Sequence, residues 1–231
     1  MPPFLAGFTL FDAAAVLVLL AAWQGIGWMI EHPSEKRPST SRVMKGYRRE
    51  WMREYVTRQP RIFDSSVLAS LRQGTTFFAS ACMISIGGGL ALLGNTERLE
   101  GVATDLTAAS APEHVWEAKI LLVILLVACG FLAFVWAHRL FGYCAVVMAS
   151  VPNDPEAPSA YPRAEKAAEI NINAARSYNR GLRAIYFAMA ALAWLLGPVA
   201  LLFSTAVTFV VLWRREFASK SRMTLLKPDV D

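Results

Sequence analysis

Long stretches without an acidic or basic side chain constrain this 231-residue chain more than any other feature. Asp12 is the only such residue between positions 8 and 30, and residues 74–95, 120–137 and 184–213 contain none. A helix needs about 20 apolar residues to cross ~30 Å of hydrocarbon. The pattern predicts an all-α integral membrane four-helix bundle, with spans at about 8–30, 74–95, 118–140 and 184–213.

The charges between the spans predict the orientation. Residues 31–73 carry ten lysines and arginines against five acids, whereas residues 96–117 carry one arginine against Glu97, Glu100, Asp105, Glu113 and Glu117. Because basic residues concentrate on the cytoplasmic side, we expect the N-terminus outside and residues 31–73 and 141–183 in the cytoplasm. The same bias explains the net charge of +5 without a nucleic-acid partner.

The last apolar stretch conflicts with this orientation. Four spans place the C-terminus outside, yet the tail is basic, with Lys220, Arg222 and Lys227 after Arg214 and Arg215. One interpretation is a hairpin that reverses at Gly197-Pro198. We favour a single kinked span, since early helices dominate topology. In that case Asp12 pairs with Arg214 or Arg215, because an unpaired carboxylate is costly at the hydrocarbon edge.

The first cytoplasmic segment has the spacing of an amphipathic helix. Met44, Tyr47, Trp51 and Tyr55 recur every three or four residues across 41–56. The pattern predicts a helix at the membrane interface, capped by Ser39, Thr40 or Ser41. Its cations Arg42, Lys45, Arg48 and Arg49 are predicted to contact anionic lipid. Docking on the protein's own surface is the alternative.

On the cytoplasmic side, the apolar helices are predicted to extend beyond the membrane. We expect them to bury these ends in a small cytoplasmic helical headpiece that includes the 41–56 helix. Asp64 is predicted to cap the helix that leads into the second span. The whole of 1–231 is interpreted as a single domain.

A polar stripe marks the helix that enters the last span. Glu169, Asn173, Arg176, Arg180 and Arg183 recur at steps of three and four, with Asn179 beside them. Because arginine binds phosphate in a bidentate manner, the stripe predicts a site for an anionic lipid headgroup. The commoner role of such a stripe is a salt-bridged face, here with Glu50, Glu54 or Asp64 as partners.

No arrangement of catalytic residues is present, so we predict a protein that is not an enzyme and holds no cofactor or metal. Cys82, Cys129 and Cys144 lie apart in apolar stretches. His32 and His138 lie at similar depths, which leaves haem binding as an alternative, whereas His114 lies in the outer loop. The small face formed by Ala81, Ser85 and Gly89 predicts close helix contact within the chain, in a homo-oligomer or in a membrane complex.

Several short motifs resemble the bacterial membrane-protein family called domain of unknown function 599. They are RIFDS at 61–65, FFAS at 77–80, HRLFGY at 138–143, NRGLRAIYF at 179–187 and RREF at 214–217. The resemblance spans about residues 5–218. It implies a multi-pass protein of a bacterial inner membrane and supplies no activity.

Three functions fit these observations. The first is a non-enzymatic accessory or scaffold subunit with a basic, lipid-facing cytoplasmic surface. The alternatives are an oligomeric channel or carrier for a small ion and a haem-binding redox subunit.

Overall fold

The computed structural model describes residues 7–94 and 112–228, and in these residues it contains helices and no strand. The acids Glu97, Glu100 and Asp105 of the predicted outer loop lie outside the described residues. The helices are α1 (Leu10–Glu31), α2 (Thr40–Thr57), α3 (Ile62–Leu93), α4 (Glu113–Ala149), α5 (Ala160–Leu192), a 3-10 helix (Ala193–Leu196), α6 (Pro198–Phe217) and α7 (Lys220–Leu225).

Four segments of the described chain are long and apolar enough to cross a membrane: Leu10–Glu31, Ile62–Leu93, Glu113–Ala149 and Pro198–Leu225. They leave large apolar side chains uncovered, and on α3 Phe77 and Ile84 are 67% and 77% exposed. Such exposure is unfavourable in water and favourable against lipid tails. The predicted all-α membrane bundle is therefore confirmed.

The predicted single span at 184–213 is wrong, because the chain reverses inside it. Helix α5 ends at Leu192, and Gly197 has a φ of 115°, a backbone conformation that a residue with a Cβ rarely adopts. Helix α6 begins directly afterwards with Pro198, whose fixed φ suits the first helical position. The Ser204 hydroxyl donates a 2.8 Å hydrogen bond to the Ala190 carbonyl, so the two helices form an antiparallel hairpin.

The Cα positions divide into two compact units. The first contains residues 1–29, 81–130 and 182–214. Its fully buried side chains include Leu19, Ile26, Leu126, Phe187 and Leu201. A Cβ added to Gly89 would lie 2.7 Å from the Ile124 side chain, so α3 and α4 approach closely at this small residue.

The second unit contains residues 30–80, 131–181 and 215–231. Its core joins α2, α3, α4 and α5, with Met52, Leu68, Phe141 and Met148 all buried. Tyr55 donates its hydroxyl to the Met148 carbonyl at 3.0 Å. Helices α3, α4 and α5 contribute these residues because they extend beyond the length that a membrane requires. This core corresponds to the predicted helical headpiece.

The ends of α2 and α3 differ in how well the sequence predicts them. Ser39 caps α2, since its hydroxyl accepts a 3.2 Å hydrogen bond from the Arg42 backbone. Asp64 does not cap α3, because that helix already begins at Ile62. Its fully buried carboxylate instead accepts hydrogen bonds from Arg58 at 2.6 Å and Trp51 at 2.7 Å.

The C-terminal segment is fastened to the start of α2. The Glu216 carboxylate accepts hydrogen bonds from the Ser41 backbone and hydroxyl, both at 3.0 Å. Thr40 donates its hydroxyl to the Glu216 carbonyl at 3.1 Å. Further along, Arg222 donates to the Pro38 carbonyl at 2.8 Å. The basic tail therefore lies beside the segment that joins α1 to α2.

Candidate anion-binding site

Contacts between α2 and α5 define an antiparallel register. Asn179 donates to the Ser41 hydroxyl at 3.4 Å, and eight residues along α2 Arg49 meets Glu169 at 2.7 Å. Between these contacts, Arg48 donates to the side-chain oxygen of the fully buried Asn171. Each step forward along α2 thus matches a step backward along α5.

In the interval that this register defines between the Ser41 and Arg48 contacts, every charged side chain is a cation. We call Arg42, Lys45 and Arg176 the basic cluster. None of these three side chains forms an ion pair or a side-chain hydrogen bond with the part of the chain that the structure describes, and the Nε of Arg176 is buried without a partner. Helical spacing on α2 brings Arg42 and Lys45 to one face, opposite Arg176.

The pKa of Lys45 reflects the nearby positive charges. Burial lowers the pKa of the Lys45 ammonium, and the positive charges of Arg176 and Arg42 lower the pKa further. Glu31 acts in the opposite direction but is already engaged by Arg180. A group of like charges with so little compensation favours an anion in the same space.

The remaining residues of the predicted stripe lie in different surroundings. Arg180 binds both oxygens of Glu31, at 2.9 and 2.6 Å. Arg183 is 7% exposed, with its guanidinium against Gly27. Asn173 is exposed on α5. The stripe is thus divided among several environments and does not form one continuous surface.

The acids that bind these arginines are not those expected. Arg180 pairs with Glu31 and Arg49 with Glu169, while Asp64 pairs with Arg58. Arg180 of the stripe is therefore salt-bridged, but to Glu31 and not to Glu50, Glu54 or Asp64, the partners considered for the stripe. Arg42 and Lys45 belong to the 41–56 helix, whose cations were predicted to contact anionic lipid. Their position beside Arg176 of α5 was not predicted.

The predicted pairing of Asp12 with Arg214 or Arg215 is also wrong. Asp12 accepts hydrogen bonds from Trp194 at 2.9 Å and from the Thr9 hydroxyl at 2.6 Å. Lys119 lies near enough to attract its charge, held over the Trp116 ring at 4.4 Å. These residues stabilise the carboxylate without an arginine.

Both arginines lie elsewhere because the hairpin turns the chain back. The Arg215 carbonyl accepts a 3.4 Å hydrogen bond from Thr40, a residue beyond the opposite end of α1 from Asp12. Arg214 and Arg215 are both exposed.

His138, one of the two histidines considered for haem, is engaged at both ring nitrogens. Its Nδ1 lies 3.1 Å from the Thr75 hydroxyl and its Nε2 lies 3.4 Å from an Arg72 nitrogen. In the described residues, no group of three or more histidine, cysteine, aspartate or glutamate side chains could hold a metal ion.

Comparison with known protein families gives a match over most of the chain. The family model described as "Protein of unknown function, DUF599" covers residues 14–221. No curated protein and no solved structure matches the chain.

Proposed function

Since the chain belongs to this family of unknown function, DUF599, we propose a function from the molecule itself: a non-enzymatic accessory or scaffold subunit of the membrane that holds an anionic lipid headgroup in its basic cluster. The observation that carries the proposal is the cationic interval between α2 and α5. Arg42, Lys45 and Arg176 lie close together there, and none of them forms an ion pair with the described residues. Phosphate oxygens accept the hydrogen bonds that these side chains offer.

Alternative roles for these cations have weaker support. A channel or carrier would use the arginine stripe as an open vestibule, yet Arg180 is held by Glu31 and Arg183 is buried against Gly27. A haem subunit needs a free imidazole nitrogen, and both nitrogens of His138 are engaged. A homo-oligomer or a larger membrane complex stays a prediction.

We also infer a five-pass topology in which the second half of α5 crosses the membrane. Near its start, Arg180 binds Glu31 at the end of α1, and past its end Trp194 binds Asp12 near the start of α1. This part of α5 therefore accompanies α1, whose Asp12 and Glu31 are ~28 Å apart along the helix axis. Helix α6 then returns antiparallel to α5.

Five passes remove the conflict over the basic tail. The C-terminus now falls on the same side as residues 31–73, in agreement with the tail contacts to Ser41 and Pro38. Both cation-rich segments then lie in the cytoplasm, as the positive-inside rule requires. The N-terminus stays outside.

Lys45→Met tests the lipid proposal. The purified protein is compared in a neutral detergent and in the same detergent with phosphatidylglycerol, and its unfolding temperature is measured. Without anionic lipid, Lys45→Met should unfold at a higher temperature than the wild type, because a repelled charge is removed. Phosphatidylglycerol should raise the unfolding temperature of the wild type more than that of the variant. The difference corresponds to about 1 kcal/mol in the free energy of unfolding, the value for one cation at an anionic surface.

Lys166→Met is the matched control, since Lys166 is an exposed lysine of α5 outside the cluster. It should leave both temperatures unchanged. Equal gains from phosphatidylglycerol in the wild type and Lys45→Met would contradict the proposal.

Cysteine labelling tests the topology. In a variant without Cys82, Cys129 and Cys144, single cysteines replace the exposed residues Lys36, Lys227 or Glu113. An impermeant reagent should label the Glu113 position in intact cells and the Lys36 and Lys227 positions only after lysis. Labelling of the Lys227 position in intact cells would contradict five passes and indicate an even number.

A further inference from the structure

The second unit contains a cavity of about 270 Å³ that no function considered so far uses. Its walls come from α2, α3, α4 and the residue that precedes α3. Arg61 and Arg72 contribute two guanidinium groups, while Leu68, Ala69 and Met148 contribute apolar surface. Among the described residues, no acidic side chain lines the cavity. Its volume equals about nine water molecules at ~30 Å³ each, which suits a small organic molecule.

Arg61 is a rigid cation in this wall. Its two terminal nitrogens donate to the backbone carbonyls of Val151, Val56 and Pro152 at 2.8–2.9 Å. The guanidinium also stacks on the Tyr55 ring at 4.6 Å. Neutral carbonyls satisfy its hydrogen bonds but leave its charge uncompensated, and its buried Nε has no partner.

Arg72 carries a second uncompensated charge. Its contact is His138, whose Nε2 accepts from the Arg72 guanidinium at 3.4 Å. That role requires the imidazole to be neutral at Nε2 and to carry its proton on Nδ1, which lies 3.1 Å from the Thr75 hydroxyl. The Nε of Arg72 is buried and unpaired as well. Within the described residues, neither Arg61 nor Arg72 belongs to an ion pair.

We propose that this cavity binds a small amphiphilic organic anion, a phosphate ester or carboxylate with a short apolar group. The two guanidinium groups supply charge and donors for the anionic end. Leu68, Ala69 and Met148 cover the apolar end, whose burial contributes in proportion to its area. The same chemistry is offered by a soluble metabolite and by a phospholipid. The proposal is independent of the basic cluster, since the two sets share no residue.

Hexyl phosphate is the probe, with inorganic phosphate and 1-hexanol as the two halves of its chemistry. Binding to the purified full-length protein in neutral detergent is measured by calorimetry. Hexyl phosphate should bind at least tenfold more tightly than either half. Arg72→Gln should weaken its binding at least tenfold, and Arg72→Lys should weaken it less. Arg53→Gln, which changes an exposed arginine outside the cavity, should have no effect.

Ala69→Phe is a second variant, which fills the cavity from an exposed position and keeps both arginines. It should also abolish binding of hexyl phosphate, whereas Lys45→Met should preserve it. Displacement of hexyl phosphate by phosphatidylglycerol identifies a lipid as the natural source of the anion, and no displacement identifies a soluble one. The proposal is refuted if hexyl phosphate fails to bind, or binds Arg72→Gln and Ala69→Phe as tightly as the wild type.

Discussion

Gly181→Ala should destabilise the second unit through one contact. A Cβ at Gly181 would lie 2.7–2.9 Å from three ring atoms of Phe134, closer than side chains approach in folded proteins. Phe134 cannot easily yield, because it is fully buried, stacks on Phe78 at 5.3 Å and meets Tyr178 at 5.5 Å. Gly181 lies inside the 179–187 motif that carries the family resemblance. The close contact with Phe134 explains why a residue without a Cβ stands at this position.

Two opposing effects set the magnitude. Overpacking a core costs ~1–3 kcal/mol, and the rigid setting of Phe134 argues for the upper end. Alanine in place of glycine inside a helix regains ~1 kcal/mol. The net loss should be about 2 kcal/mol, which for a chain of this length lowers the unfolding temperature by ~4–8 °C.

Thermal unfolding in neutral detergent measures the effect. Gly142→Ala is the matched control, because Gly142 lies inside α4 and a Cβ there meets nothing within 4 Å. It should raise the unfolding temperature by ~2–4 °C through helix propensity alone. A smaller ring partner should relieve the clash, so Gly181→Ala with Phe134→Leu should be less unstable than the sum of the two single changes. The reasoning fails if Gly181→Ala is as stable as Gly142→Ala, or if the two changes are additive.

Three further changes test other contacts. Trp194→Phe removes a hydrogen bond to a buried carboxylate and should cost ~2 kcal/mol in thermal unfolding, but much less when Asp12→Asn is also present. Glu216→Ala removes the bonds that fasten the tail to α2, so limited trypsin digestion should cleave at Lys220 faster than in the wild type, and an unchanged rate would contradict this. The Lys45 pKa is lowered by folding, so this lysine destabilises the protein while both states are protonated. The stability that Lys45→Met gains over the wild type should therefore shrink as the pH rises toward the ordinary lysine pKa of 10.5, and a constant gain would argue against the cause assigned here.

Local composition was enough to predict the helical elements. A backbone that crosses a membrane must form its hydrogen bonds within its own helix. The apolar stretches around α1, α3 and α4 therefore predict helices. The spacing of Tyr47, Trp51 and Tyr55 predicted α2, which runs from Thr40 to Thr57. Its cap at Ser39 is a short-range hydrogen bond. These features depend on neighbours along the chain, so the sequence alone determines them.

Tertiary structure decided the direction of the last apolar stretch and the partners of the charges. Residues 184–213 are uniformly apolar, so their composition does not distinguish a kink at Gly197 from a reversal. The reversal is defined by contacts between distant residues, Ser204 with Ala190 and Trp194 with Asp12. In the same way, the register of α2 against α5 leaves Lys45 without an ion pair among the described residues, while Arg180 reaches Glu31. Charge pairing acts over a few ångströms in space, and only the packed helices bring together side chains so far apart in the chain.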